Sequence, residues 1–538
     1  MAKGKNISLV SLSILGLASC QGTSSISPSG LEYDNGTYNI DTSISNKSSS
    51  AHYQIFVRSF CDSNNDGIGD FNGIASKADY LSSLGIGAVW LTPIHKSHSY
   101  HGYDIDDYYS VNPDFGTMED FVNMVNVLKG KGIDVMLDMV FNHSSTYNQY
   151  FVDSYNDYRL GKTGENSKAN WYLWKDEDGG SSYYKKGSFY YYAHFGSNMP
   201  DLNFDCQAVL DEFNKIMAFW LDKGVKGFRL DAVRYYQEEN VAKNIEALNK
   251  IADMARAIDP NCYFVGENWI GGNEYLSYYS SKIDSYFDFE QSIAYSNGTP
   301  FIPAVKGFAS GDSLTSVLET KEKKIKEKNN KAYSSYFFAN HDTDRISKSL
   351  SGDNMKVGAS LLYLLPGTPY CYYGEEIGLL GSKGNESTDA MRRLPMIWGE
   401  GHENEKTGCP DGSISSIYSS FKQVKKGACD LEKEPMSLVN HYKKVISIRN
   451  KYPFIRDSIL TSVKTGVANL ITYKLTSGDG KDSIIVMHNT SSEVMETDIS
   501  SFSNGEILDT INTSNLKPKI EGTILKLAPY SSIILKGR

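Results

Sequence analysis

Residues 227–234 read GFRLDAVR, an apolar stretch with an arginine and an aspartate two positions apart. A strand turns alternate side chains to opposite faces, so Gly227, Arg229, Asp231 and Val233 share one face and Phe228, Leu230 and Ala232 the other. On an antiparallel sheet the charged face is simply the wet one. If it closes on an enclosed space instead, a lone carboxylate is costly, and a guanidinium beside it holds it ionised. The rest of the chain decides between these readings.

Similar short apolar runs recur on both sides: HYQIFVRSF, GAVWLTPI and IDVMLDMVFNH before it, YFVGENW, DSYFDFE, SYFFANHD and TPYCYYGEE after it. Turn residues bound each run, and most of the intervals are long enough for a helix, as in DFVNMVNVLKGKG and LDEFNKIMAFWLDKG, both ending in Lys and Gly. Near-continuous apolar strands alternating with helices form a parallel sheet, and eight such units predict an α/β fold of (β/α)8 type, a TIM barrel. Acidic and polar residues then fall at the C-terminal ends of several strands: Asp138, Asn142 and His143 on the third, Arg229 and Asp231 on the fourth, Glu267 on the fifth, His341 and Asp342 on the seventh. In a barrel these ends converge on one mouth, so the pattern predicts that Arg229 and Asp231 face inward.

The barrel is expected over residues 51–456, with an inserted domain at 144–203, a Tyr-, Trp- and Gly-rich stretch too long for an idle loop. From 457 to 538 the pattern changes to alternating strands such as NLITYKLTS and DSIIVMHN, which predict a C-terminal antiparallel β-sandwich. The run KEKKIKEKNNK (321–331) reads as a solvated helix face.

The full chain has 538 residues, 40% of them hydrophobic and 22% charged, as in a globular protein of more than one domain. Its formal net charge of −10 argues against nucleic acid as a partner and leaves neutral ligands open. Lys3 and Lys5 precede the apolar run ISLVSLSILGLA, too short to span a membrane but suited to a secretory leader. Because LASC (17–20) resembles a bacterial lipobox, residues 1–19 are expected to be a lipoprotein signal peptide, with Cys20 the lipidated first residue of the mature protein and 20–50 a flexible Ser/Thr-rich tether. This predicts an extracytoplasmic protein, lipid-anchored to the bacterial membrane or cell surface and acting as a monomer. Cys61, Cys206, Cys262 and Cys371 lie in or beside apolar runs and read as free thiols, whereas Cys409 and Cys429 flank a polar loop and are placed either to pair or to stay free.

From about Ala51 onward the chain resembles the α-amylase superfamily of glycoside hydrolases. DMVFNH, GFRLDAVR, VGENW and FANHD match that family's four catalytic-face motifs in order and spacing, and MPDLN (199–203) matches its fifth. The resemblance implies a retaining glycoside hydrolase acting on α-1,4 bonds of starch, maltodextrins or related α-glucans, with some α-1,6 or transglycosylating activity compatible with the same residues. It implies Asp231 as nucleophile, Glu267 as general acid/base and Asp342 as the group holding the sugar's secondary hydroxyls. Retaining chemistry needs one carboxylate ionised and another protonated, about 5–5.5 Å apart. Arg229 is expected to secure the first, and the negative charge of Asp231 and Asp342 to raise Glu267 toward the second. By the same resemblance His143, His341 and Tyr103 bind the reacting sugar. Asp104 and Arg393 resemble the pair that clasps the terminal sugar in exo-acting relatives, which keeps an oligosaccharide α-glucosidase or 4-α-glucanotransferase as the alternative. A surface protein that binds glucan without cutting it is the reading outside enzymes.

In CDSNNDGIGD (61–70), Asp62, Asn64, Asp66 and Asp70 stand at alternate positions with Ile68 offering its carbonyl, much like the start of an EF-hand. Position twelve is Gly73, which excludes an EF-hand, but the spacing resembles a calcium loop of the superfamily, so Ca2+ is the expected cofactor. A polar turn would need no metal; the density of oxygen ligands favours the ion.

Overall fold

The computed structural model describes residues 30–41, 51–164, 166–295, 301–384, 389–410, 413 and 423–538. The leader, Cys20 and residues 21–29 and 42–50 of the expected tether lie outside the described residues.

Eight short parallel strands carry the fold: β1 (His52–Ile55), β2 (Ala88–Leu91), β3 (Asp134–Met139), β4 (Gly227–Leu230), β5 (Tyr263–Gly266), β6 (Ser285–Phe287), β7 (Tyr333–Ser335) and β8 (Tyr370–Tyr372). They form one sheet in the order β7-β6-β5-β4-β3-β2-β1-β8, and a parallel bridge from Phe337 to Tyr370 joins its ends. The predicted barrel is therefore present, with its seventh strand paired two residues earlier than the SYFFANHD run suggests. Gly227 is needed where β4 passes β5, because a Cβ there would lie 2.7 Å from the Tyr263 carbonyl oxygen.

Strand alternation sorts the barrel into two environments. Outward residues such as Val89, Leu137, Phe228 and Phe264 pack under helices. The helix Met118–Gly130, started by a Thr117–Asp120 capping box, buries Phe121, Met124, Val125 and Leu128 at helical spacing. Each such side chain contributes about 1.5–3 kcal/mol on leaving water. Inward residues form a separate aromatic plug of Trp90, Met136, Val265, Phe287, Phe337 and Tyr370. Asp138 and Arg229, paired across β3 and β4, extend that inward face toward the C-terminal mouth.

Between β3 and β4 the insertion builds a helix, Gln149–Arg159, and a three-stranded sheet of Trp174–Lys175, Phe189–Tyr192 and Tyr183–Lys186, in that order. At the C-terminus a five-stranded antiparallel sheet (Ile459–Ser462, Leu470–Thr476, Ser483–Asn489, Ser532–Gly537, Ser503–Ile511) and a three-stranded one share an apolar core that includes Leu470, Ile485, Leu525 and Ile533.

Two expectations change, and one open alternative is decided. Residues 30–41 are docked, not free: Leu31 is buried, Tyr33 bridges to Leu516, and the Tyr38 hydroxyl lies 2.8 Å from His441 Nδ1. The lysine-rich run is helical, within Gly311–Lys328, but Lys321 is buried and paired with Asp288 (2.7 Å) and Glu290 (3.1 Å). Cys409 and Cys429 are unpaired, so of the two arrangements left open the structure has the free one.

Candidate active site

β4 delivers Arg229 to the barrel axis with no exposed surface, resting above the Trp90 ring at 5.2 Å. Its guanidinium serves three acids at once. Nη1 donates to Asp138 Oδ1 (2.7 Å) and Asp231 Oδ1 (2.5 Å), and Nη2 lies 3.0 Å from Glu267 Oε1. The arginine of the opening motif therefore aligns Asp231 and Glu267 side by side on its two nitrogens, which is more than the role of partner to Asp231 alone. Backbone bonds fix both acids at the rim, from Asp231 N–H to Met139 O (3.1 Å) and from Glu267 N–H to Leu230 O (2.9 Å).

The turn after Asp231 is strained. Ala232 has φ +48°, in the left-handed region a non-glycine residue seldom occupies, and this turns its N–H onto Glu267 Oε2 (3.0 Å). Glu267 is pushed up to about 8. Burial is the chief cause; Arg229 opposes it, and the charges of Asp231 and Asp342 add to it. Negative neighbours alone, the cause expected from sequence, are the smaller part. Burial likewise raises Asp138 to about 7 against the pull of Arg229.

The opposite wall is built from the segment after β7 and from Arg393. Gln54 Nε2 donates to His341 Nδ1 (2.7 Å), which leaves the imidazole proton on Nε2, 3.0 Å from Asp342 Oδ2. Arg393 Nη2 donates to Asp342 Oδ1 (2.9 Å). Burial works against the charge of Asp342, but His341, Arg393 and Arg229 together hold it well below the usual carboxylate range. His341 and His143 are both lowered by burial and are neutral donors. Tyr103 stacks on His341 (5.5 Å, 5° between planes) and donates from its hydroxyl to Asp138 Oδ2 (2.8 Å).

Of these groups Tyr103, His143, Asp231, Glu267, Asp342 and Arg393 line one cleft of about 590 Å³, whereas Arg229 and His341, without exposed surface, lie beneath it and hold its acids in place. That volume suits a small ligand or one to a few sugar rings. Of the residues singled out in the sequence, Asp104 stands apart: it is buried behind the wall, accepting from Ser97 (2.6 Å) and Ser99, and has no ion pair with Arg393. Sequence reasoning missed Gln54, though period-two alternation places it inward beside Trp90, and missed Arg392, which donates to the Asp342 carbonyl (2.6 Å). It also missed the half-exposed rings of Phe195 and Trp269 on the cleft wall.

The loop at 62–70 is a run of turns in which side-chain oxygens accept backbone N–H groups. Asp62 Oδ2 accepts from Gly67 N–H, Asn64 Oδ1 from Asp66 N–H and Asp66 Oδ1 from Ile68 N–H, at 2.8, 3.0 and 2.8 Å. Asp62 Oδ1 also accepts from Asn64 and Asn65 N–H, and Asp66 Oδ2 from Asn64 Nδ2, so the loop's own donors fix these side chains through both oxygens. Among the described residues none of Asp62, Asp66 and Asp70 has a Lys, Arg or His within 4.0 Å, although Asp62 and Asp70 are buried. No three acidic, His or Cys side chains among the described residues form a metal site by themselves, so an ion there would also draw on Asn64 and the Ile68 carbonyl. Such an all-oxygen set fits a hard cation of the calcium type.

The model of the α-amylase catalytic domain matches residues 54–458. Alpha-amylase 3 of Dictyoglomus thermophilum is 36% identical over 90% of this chain and 92% of its own length. Glucan 1,6-alpha-glucosidase of Streptococcus pneumoniae is 31% identical over 74% of this chain and 83% of its own. Among solved structures, Amy13B of Eubacterium rectale superposes with a TM-score of 0.84 at 30% identity, covering 93% of this chain and 97% of that one. With its barrel under one family model and nearly its whole length shared with such relatives, the chain belongs to the α-amylase family of glycoside hydrolases.

Proposed function

We propose that this chain is a retaining hydrolase of α-1,4-glucosidic bonds in starch and maltodextrins, with Asp231 as nucleophile and Glu267 as general acid/base. The observation that carries the reading is the division of one buried guanidinium between these two acids, with Asp231 on Nη1 and Glu267, pushed up to about 8 by burial, on Nη2. Glu267 gives its proton to the glycosidic oxygen as Asp231 Oδ bonds to the anomeric carbon and the C–O bond breaks. Water then attacks the glycosyl ester with Glu267 as base, restoring both acids. Asp342, ionised and fixed by Arg393 and by His341 behind it, accepts hydroxyl protons of the same sugar, and His143 faces that sugar from the cleft wall.

Purified protein should release reducing sugar from soluble starch, and early products separated by chromatography should form a ladder of maltooligosaccharides. Glucose as sole product would favour the exo-acting α-glucosidase, a reading supported by a 1,6-glucosidase among the relatives. Longer chains built from maltotriose would favour a 4-α-glucanotransferase. Binding of starch without cleavage of any α-glucan would sink the enzymatic reading.

Calcium belongs to the same proposal. Asp62, Asn64, Asp66, Asp70 and the Ile68 carbonyl would hold it, and it would neutralise carboxylates that have hydrogen-bond donors but no cationic partner among the described residues. A tightly held ion present at a hundred times its Kd adds about 2.7 kcal/mol of stability. Chelation should therefore lower Tm by a few degrees, reversibly on adding Ca2+; an unchanged transition, with no calcium in the purified protein, defeats it. The proposed lipid at Cys20 would place the enzyme outside the cytoplasm. Because Leu31 is docked, only the ten residues 21–30 lie between anchor and body, a reach of at most about 40 Å.

A further inference from the structure

We infer that Ser59 is a positioning residue for Arg393, and that through it the 62–70 loop supports the sugar-holding wall of the cleft; this rests on the hydrolase and calcium readings above. Ser59 lies in the short turn Val57–Ser59 that follows β1 and is fully buried. Its hydroxyl donates to the Arg393 carbonyl (2.7 Å), and its own carbonyl accepts from Met396 N–H (2.8 Å). One residue later the Phe60 carbonyl accepts from Trp398 Nε1 (2.9 Å). The segment 393–398 is thus fastened at three points to the turn 59–60 and carries at its start the side chain that fixes Asp342. Arg393 spends its other donors on the His341 carbonyl (2.9 Å) and the Tyr100 hydroxyl (3.0 Å), so a shift of its backbone would move Asp342 and His341 together.

The far side of the same turn is covered by the 62–70 loop. Gly69 N–H donates to the Arg58 carbonyl (2.8 Å) and Asp70 N–H to the Cys61 carbonyl (3.0 Å). The approach is so close that a Cβ on Gly69 would lie 2.1 Å from the Val57 carbonyl oxygen, so only glycine fits there. The loop also grips the chain beyond Trp398, accepting from Gly408 N–H at the Gly67 carbonyl (2.7 Å) and donating from Asp62 N–H to the Glu405 carbonyl (3.0 Å). Backbone on both sides of Arg393's anchor therefore depends on the shape of the loop. A cation that tightens the loop tightens the anchor, and by linkage a sugar gripped by Arg393 and Asp342 tightens the cation.

Two measurements test this. Ser59→Ala should raise KM for maltooligosaccharides about 10-fold with kcat changed less than about 3-fold, and Ser59→Thr, which keeps the hydroxyl, should recover most of the loss. A substitution that merely destabilised the protein would lower Tm and the active fraction at constant KM, and that outcome overturns the assignment. In the unaltered protein, calcium affinity measured by calorimetry should rise severalfold when the cleft is filled with 1-deoxynojirimycin, and the affinity for that iminosugar should rise by the same factor with calcium. Calcium that binds with an affinity indifferent to the iminosugar overturns the coupling and leaves the metal reading intact. Absence of any calcium binding removes the metal reading and the coupling together, while the KM of Ser59→Ala still decides the role of Ser59.

Discussion

Asp231→Asn should lower kcat on maltooligosaccharides by at least about 10⁴-fold while leaving a folded protein. An amide has the shape of the carboxylate but cannot form the glycosyl ester, so the loss falls on the chemical step. The fold should tolerate the change because Arg229 keeps two further acids, Asp138 at 2.7 Å and Glu267 at 3.0 Å, and no buried cation is stranded. Removing the Asp231 charge also takes away one of the influences that raise Glu267. The measurements are kcat on maltotetraose and a thermal melt. A variant retaining more than about 1% of kcat would end the claim that Asp231 is the nucleophile.

The second large effect is on Glu267 and on pH. A general acid must carry its proton, so kcat/KM should hold up to near pH 8 and fall above it, following the carboxyl that burial pushes up to about 8. Glu267→Gln should erase this alkaline limb and lower activity on maltooligosaccharides by about 10²–10⁴-fold. An aryl glucoside with a nitrophenol leaving group departs without protonation, so its first step should suffer far less. Equal losses on both substrates would speak against Glu267 as the acid. Stability should follow the same proton. Glu267, raised from 4.5 to about 8, and Asp138, raised from 3.8 to about 7, bind protons more tightly folded than unfolded. Their contribution is complete below pH 4, declines as pH rises through 7 to 8, and is then gone. Tm should fall by several degrees between pH 5 and 8, and less in Glu267→Gln; superimposable profiles would contradict the shift.

The barrel was legible because its strands are buried on both faces and so read as unbroken apolar runs, and because Arg229 and Asp231, two apart, could only share a face. What stayed hidden depended on partners far along the chain. Residues 30–41 hold few apolar side chains, and Tyr33 and Tyr38 find their places against Leu516 and His441, far along the chain. Lys321 did leave a trace: Leu314, Leu318, Lys321 and Ile325 are all buried and spaced four, three and four apart, so helical periodicity puts the lysine on the inner stripe. The charge-rich composition of the run masked it. The proton on Glu267 was expected for the wrong main reason, since depth of burial is a property of the assembled mouth and not of the VGENW motif. Asp104 shows the reverse case, in which a residue adjacent to Tyr103 turns away because its neighbour takes the wall.

The free thiols have a consequence for where this molecule can work. All six cysteines of the described chain are unpaired, and Cys61 and Cys262, in the core, are pushed up to about 12 by burial, far from the reactive thiolate. No covalent cross-link among them stands between the folded state and a reductant. Assembly then asks nothing of an oxidant or an isomerase, and an oxygen-free, sulfide-rich habitat would leave the enzyme as durable as air does.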